Sequence, residues 1–137
     1  MKHVVIPIVF AMSVLAGCKD DNPASPGNRS PVISRVTIFP EVVGPSDSLV
    51  VVCSASDPDG DSLVYDWYSL SGDIVKIKGC NCMVLYNTHQ NSQIFYAPDS
   101  MYVAFPQDTF GIECAVRDRK GGGDVSGLLR FIVTRTF

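Results

Sequence analysis

The sequence has little positive charge in any one place. Its 11 Lys and Arg are scattered among 14 Asp and Glu, for a net charge of −3. Without a basic cluster there is no electrostatic footprint for nucleic acid, where phosphate contacts dominate affinity. Adsorption to anionic lipid through surface charge is excluded on the same ground. Histidine is also scarce, with His3 near the start and His89 in the polar stretch Asn87-Thr88-His89-Gln90-Asn91. No segment carries a nucleophile elbow or another catalytic signature, so His89 reads as a solvated loop residue. No helical period of apolar residues is present either, and a small domain without a helical layer offers little concavity for a substrate. The chain is therefore not expected to be an enzyme. A further absence is any apolar run of the ~20 residues needed to span a bilayer. The longest, residues 4–16, is about 13 residues and follows the basic start Met1-Lys2-His3.

That run closes with Leu15-Ala16-Gly17-Cys18. Basic start, short apolar core and small residues before a cysteine resemble the signal peptide and lipobox of bacterial lipoproteins; the alternative is a plain secretory signal with a chance cysteine. The resemblance implies cleavage after Gly17 and lipidation of Cys18, with diacylglycerol on the sulfur and a palmitate-type acyl chain on the new amino terminus. Two or three acyl chains, at ~0.8 kcal/mol per buried methylene, make a stable membrane anchor. The expected address is the cell envelope, at the outer membrane, either periplasmic or surface-exposed. Lys19-Asp20-Asp21 resembles the surface-export signal of Bacteroidota lipoproteins, with an unaddressed polar tether as the alternative. Residues 22–31 are mostly Pro, Ser, Asn and Gly and read as flexible linker. The division expected is a signal peptide over 1–17, a lipidated cysteine and tether over 18–31, and a folded domain over 32–137.

From residue 32 onward the apolar residues keep a strand period. Val36 and Ile38 mark a first strand ending at Pro40. Leu49, Val51, Cys53 and Ala55 form the inward face of a second, and Leu63, Tyr65 and Trp67 that of a third, with Asp66 and Tyr68 outward. Ile74 and Ile77 flank a weaker strand, and Val84 with Tyr86 and Ile94 with Tyr96 mark two more. Phe110, Ile112, Cys114 and Val116 alternate cleanly, and Leu129, Phe131 and Val133 close the series. Turn chemistry separates the strands at Gly44-Pro45-Ser46-Asp47, Asp57-Pro58-Asp59-Gly60, Ser71-Gly72-Asp73 and Lys120-Gly121-Gly122-Gly123-Asp124. About seven or eight short strands with this spacing predict an all-β antiparallel sandwich. Met101-Tyr102-Val103-Ala104-Phe105 is expected to add a buried strand; the alternative is an exposed loop presenting Tyr102 and Phe105 to a partner.

Four cysteines remain after Cys18, in a compartment that favours disulfides. Cys53 on the second strand, Trp67 on the third and Cys114 on the penultimate strand resemble the Cys…Trp…Cys pattern of immunoglobulin domains. The resemblance implies an immunoglobulin-like fold with a Cys53–Cys114 disulfide between the sheets. Ile112 stands where that family places a corner tyrosine. Cys80 and Cys82 are then left together, as a local disulfide, as free thiols or as half of a metal site.

The stretch Asp57-Pro58-Asp59-Gly60-Asp61-Ser62-Leu63-Val64-Tyr65-Asp66-Trp67 resembles polycystic-kidney-disease-type (PKD-like) and related bacterial immunoglobulin-like domains. Gly72-Asp73 and Val116-Arg117-Asp118-Arg119-Lys120-Gly121-Gly122 extend the likeness. It implies a spacer, or a module that binds protein or glycan. Asp57, Asp59 and Asp61 put three carboxylates in one tight loop, and in this topology the last hairpin lies at the same end, bringing Asp118 or Asp124 near. Hard oxygen clusters suit Ca²⁺, though Asp-Pro-Asp-Gly is also ordinary turn chemistry and the twelve-residue calcium loop is absent. No cofactor is required. The function expected is a non-enzymatic, lipid-anchored envelope protein with a binding, adhesion or structural role. The alternative is a calcium-stabilised accessory subunit of a larger surface assembly.

Overall fold

Alternation every two residues is strictest in residues 107–117, and they form the longest strand of the protein. The computed structural model describes residues 27–136; the leader, Cys18 and Lys19-Asp20-Asp21 lie outside them. The described residues form ten strands: β1 (Val32–Phe39), β2 (Val42–Val43), β3 (Ser48–Ser56), β4 (Val64–Ser69), β5 (Lys76–Ile77), β6 (Val84–Thr88), β7 (Ser92–Tyr96), β8 (Gln107–Arg117), β9 (Gly123–Val125) and β10 (Leu129–Thr134). One sheet runs β1-β3-β7-β5 and the other β2-β10-β8-β4-β6, with β9 continuing the pairing along β8. This is the strand order of an immunoglobulin-like sandwich. Two strands more than the sequence pattern predicts arise because the first strand switches sheets after Pro40, leaving β2, and because Ser126 to Leu128 interrupt the last strand. Every pair is antiparallel except β2 with β10, which runs parallel and corrects the wholly antiparallel expectation.

The inward faces follow the alternation. Leu49, Val51 and Cys53 of β3 meet Trp67 of β4, Phe95 of β7, Ile112, Cys114 and Val116 of β8, and Phe131 and Val133 of β10 in one core. Trp67 is fully buried, with its ring edge-on to Phe95 at 6.4 Å and stacked on Tyr65 at 6.4 Å. Removing an indole of this size from water stabilises on the order of 4 kcal/mol. Its Nε1 is buried without a hydrogen-bond partner, which costs back about 1–3 kcal/mol. In β7 the buried residues are Gln93 and Phe95, while Tyr96 is exposed. The segment 101–105 is not a strand. Ser100–Tyr102 form a single 3-10 turn, Val103 alone is buried, and Met101, Tyr102 and Phe105 are exposed. Pro106 and the short reach between Asp99 and β8 leave no sheet edge for it to join.

Cys53 and Cys114 project into the core from opposite sheets and are carried as thiols. Their side chains hydrogen-bond to each other, and that bond, with burial behind it, pushes the Cys114 thiol far above its ordinary range. The bridge expected between them is our proposal for the protein under oxidising conditions. Closing a loop of about 60 residues is worth roughly 4 kcal/mol in the chain-entropy treatment. Non-reducing peptide mapping of protein purified without reductant is expected to return Cys53 linked to Cys114, with reductant lowering the unfolding free energy by about that amount. Recovery of Cys53 free or joined elsewhere refutes the pairing.

Candidate functional site

The Asp57-Pro58-Asp59-Gly60 loop joins β3 to β4, and its first residue builds it. Asp57 Oδ1 accepts the backbone N–H of Asp59 at 2.8 Å and of Asp61 at 3.1 Å, and the Asp57 carbonyl accepts the Gly60 N–H at 3.2 Å. Gly60 sits at φ 77, which a side chain would strain. This folds Asp57, Asp59 and Asp61 back on one another, with one oxygen of each inside a 4.8 Å circle. Two cations answer them. Arg29 lies 2.7 Å from Asp59, and Lys120, from the last hairpin, lies 2.6 Å from Asp61. The second oxygens of Asp57 and Asp61 are buried without a hydrogen-bond partner.

Asp118 is not part of this cluster, contrary to its placement among the candidate calcium ligands. Both oxygens of its carboxylate are already engaged: Oδ1 accepts the N–H groups of Lys120 at 2.7 Å and Gly122 at 2.9 Å, and Oδ2 accepts Asn28 Nδ2 at 2.6 Å. Asp124 likewise serves the backbone, accepting the N–H of Ile33 at 2.8 Å. The last hairpin does reach the acidic loop, as the topology predicts, but what it delivers is the Lys120 ammonium. Gly122 packs so closely that a Cβ there would come 2.8 Å from the Ser30 Cα. Gly122 thus makes room for the incoming chain.

Composition did not reveal that the chain is already fixed before the domain boundary drawn at residue 32. Asp59 Oδ2 accepts the Arg29 backbone N–H at 2.6 Å and its Oδ1 accepts Nε at 2.8 Å, while Asn28 reaches Asp118 and Pro31 is fully buried. The signal available was the pairing of Arg29, a lone cation in a Pro/Ser/Asn/Gly stretch, with an acidic loop. A second missed network lies on the outer face of the β4–β8 pair. Asp66, expected to face solvent, is buried and held by the two-pronged guanidinium of Arg117 at 2.9 Å and by the Asn87 N–H at 2.8 Å.

The other sequence candidates are placed as follows. His89 is exposed, with Nδ1 3.2 Å from the Leu63 carbonyl, near no second catalytic group among the described contacts. Cys80 and Cys82 are joined as a disulfide at the edge of the first sheet, one of the alternatives for that pair. Exposed apolar residues gather at the end of the sandwich opposite Arg29, where Phe39 and Met101 are each 77% exposed and Tyr102 and Phe105 lie beside them in sequence. No helix among the described residues is long and apolar enough to cross a membrane. Neither a family model nor a curated protein matches the chain.

The clamp on residues 28–31 has a defined pH response. The Arg29 backbone N–H, with its side chain, holds Asp59 below the ordinary aspartate value of 3.8. The Asn28 amide, with the backbone N–H groups of Lys120 and Gly122, does the same for Asp118. Because both folded values are depressed, the contribution of these contacts is full above 3.8 and disappears as pH falls through the lower folded values. Hydrogen exchange across an acid titration is expected to deprotect residues 28–31 below that point while β3 and β8 remain protected. Simultaneous loss in all three segments would contradict a local clamp.

Proposed function

We propose that the chain is a non-enzymatic, lipid-anchored module of a bacterial cell envelope, whose sandwich binds a protein or glycan partner or serves a structural role there. The observation that carries this reading is the clamp of Asn28 and Arg29 onto Asp118 and Asp59. It fixes where the chain coming from Cys18 enters the sandwich. The opposite end exposes Phe39, Met101, Tyr102 and Phe105. Exposed aromatics on short loops held by a rigid scaffold are the usual material of recognition surfaces. The PKD-like resemblance of the segment from Asp57 to Trp67 agrees with such a role.

Metabolic labelling with an alkyne palmitate analogue is expected to mark the wild-type protein and not Cys18→Ser, and the variant is expected to leave the membrane fraction. Labelling that survives Cys18→Ser refutes the anchor. On intact cells, protease digestion without lysis supports surface display through Lys19-Asp20-Asp21; protection until the outer membrane is opened supports a periplasmic address. Hydrolysis of a polymer by the purified protein, abolished by one point substitution, overturns the non-enzymatic reading.

One observation favours a second reading, a calcium-stabilised accessory subunit of a surface assembly. Asp57 and Asp61 each keep a buried carboxylate oxygen with no donor, within the same small circle of acids. A cation could satisfy both at once, in competition with Lys120. A ligand that binds only the folded state raises the melting transition, so millimolar calcium is expected to raise Tm by about 4 °C or more on this reading. An unchanged transition removes it.

A further inference from the structure

The register places a second feature at the end away from Arg29. Residue Val32 of β1 pairs with Ser56, at one end of β3, while Ser48, at the other end, pairs with Tyr96. Around Tyr96 lies a depression of about 430 Å³, bounded by the loop before β3, the 3-10 turn Gly72–Ile74, β5, the disulfide turn and the turn Ser100–Tyr102. Its rim has two tyrosines, Tyr96 and Tyr102, the latter half exposed, and its remaining polar groups are Ser46, Asp73, Lys76, Asn81 and Asp99.

Two of these residues are held in a backbone conformation that costs energy. Among the described residues four that are not glycine have positive φ, and Ser46 at 63 and Asn81 at 52 both line this depression. Each is fixed by its neighbours. The Ser46 N–H donates to the Pro98 carbonyl at 3.0 Å and its hydroxyl to Asp99 Oδ1 at 2.6 Å, which also orients that carboxylate. Asn81 stands between Cys80 and Cys82, so the disulfide closes directly around it, and its N–H donates to the Ile77 carbonyl at 3.0 Å. Cys82 also packs against the core and its carbonyl accepts the Ile77 N–H at 2.8 Å, so the segment ties Asn81 to the edge of the first sheet. Strain concentrated on residues that line one concavity points from geometry to binding.

The chemistry of the lining selects the ligand class. Carboxylates, an amide and a hydroxyl offer paired acceptors and donors to vicinal hydroxyl groups, and tyrosine faces suit the apolar C–H faces of a pyranose ring. The depression itself adds only Ile74 and Ala97 to the two tyrosines, and its other lining groups are polar, which favours a hydroxyl-rich ligand over a polypeptide. We propose that this depression binds a hydroxyl-rich oligosaccharide, with Tyr96 and Tyr102 as ring platforms, Asp73, Asp99 and Asn81 as hydroxyl partners, and the Cys80–Cys82 disulfide as the clamp that holds Asn81 in its bound form. The inference rests on the binding-module reading above and names its ligand class.

The test uses the full chain extracted in a detergent without a sugar headgroup, titrated calorimetrically with hexasaccharides of three kinds: neutral, N-acetylated and uronic. At least one is expected to bind. Tyr102→Ala is expected to weaken it by about tenfold or more, as loss of an aromatic anchor does. Cys80→Ser with Cys82→Ser is expected to weaken it by about three- to tenfold through lost preorganisation, with the melting transition of Tyr102→Ala unchanged. Tyr86→Ala, exposed on the other sheet, is expected to bind as wild type. Absence of binding to all three kinds overturns the proposal, as does binding that Tyr102→Ala and Asp73→Ala leave intact. A polypeptide cross-linked at position 102 in place of a saccharide also overturns it, yet leaves the envelope binding module standing. Failure of the Cys18 labelling would remove the anchor without touching this site.

Discussion

One carboxylate joins three parts of the chain. Asp118, buried at the end of β8, turns the last hairpin through the N–H groups of Lys120 and Gly122 and grips Asn28 with its other oxygen. Each of these bonds replaces water that a buried carboxylate would otherwise require, so none of the three segments can leave without exposing a cost in the others. The hairpin then places Lys120 against Asp61, and Asn28 places Arg29 against Asp59. The polarity of the whole molecule, with one end receiving the incoming chain and the other left free, depends on those bonds.

The acidic residues consequently divide by use and not by position in sequence. Asp57, Asp118 and Asp124 accept backbone N–H groups and act as builders of loops. Asp59 and Asp61 meet cations from elsewhere in the chain, and Asp66 does so on a sheet face, where burial makes the Arg117 partner necessary. Asp73 and Asp99 differ from all of these in lining a concavity at the far end. A mildly acidic composition says nothing of this division. It follows from which carboxylates lie within reach of a donor once the sheets have closed.

What was legible in the sequence was whatever local periodicity or turn chemistry determines. The alternation of Phe110, Ile112, Cys114 and Val116 specifies a strand with one buried face whatever surrounds it, and Asp57-Pro58-Asp59-Gly60 closes its turn with its own atoms. The cysteine and tryptophan spacing pointed to the sandwich through resemblance, and Trp67 does share the core with Cys53 and Cys114, standing opposite Cys114 in the β4–β8 register. The misread residues depend on partners distant in sequence. Met101-Tyr102-Val103-Ala104-Phe105 has the composition of a buried strand, but no sheet edge receives it and only Val103 turns inward. Asp118 resembles a metal ligand until Asn28, 90 residues away, is seen to take its free oxygen. Linker composition at residues 28–31 likewise hides an attachment that exists only because Asp59 and Gly122 are waiting for it.

The two cysteine pairs show why the far end can be rigid without being part of the core. Thiol exchange requires a thiolate and access to it. Cys53 and Cys114 lack the access, since both are buried, and the Cys114 proton is held tightly by its bond to Cys53, so exchange with outside thiols is hindered once the sheets have closed. Cys80 and Asn81 lie exposed on a turn that only the half-buried Cys82 ties to the core, and Asn81 there is at positive φ. A covalent closure around Asn81 does there what burial does for Trp67. At the solvent-facing rim the covalent closure around Asn81 adds to the hydrogen bonds that hold Ser46, and both lie beside the depression they line.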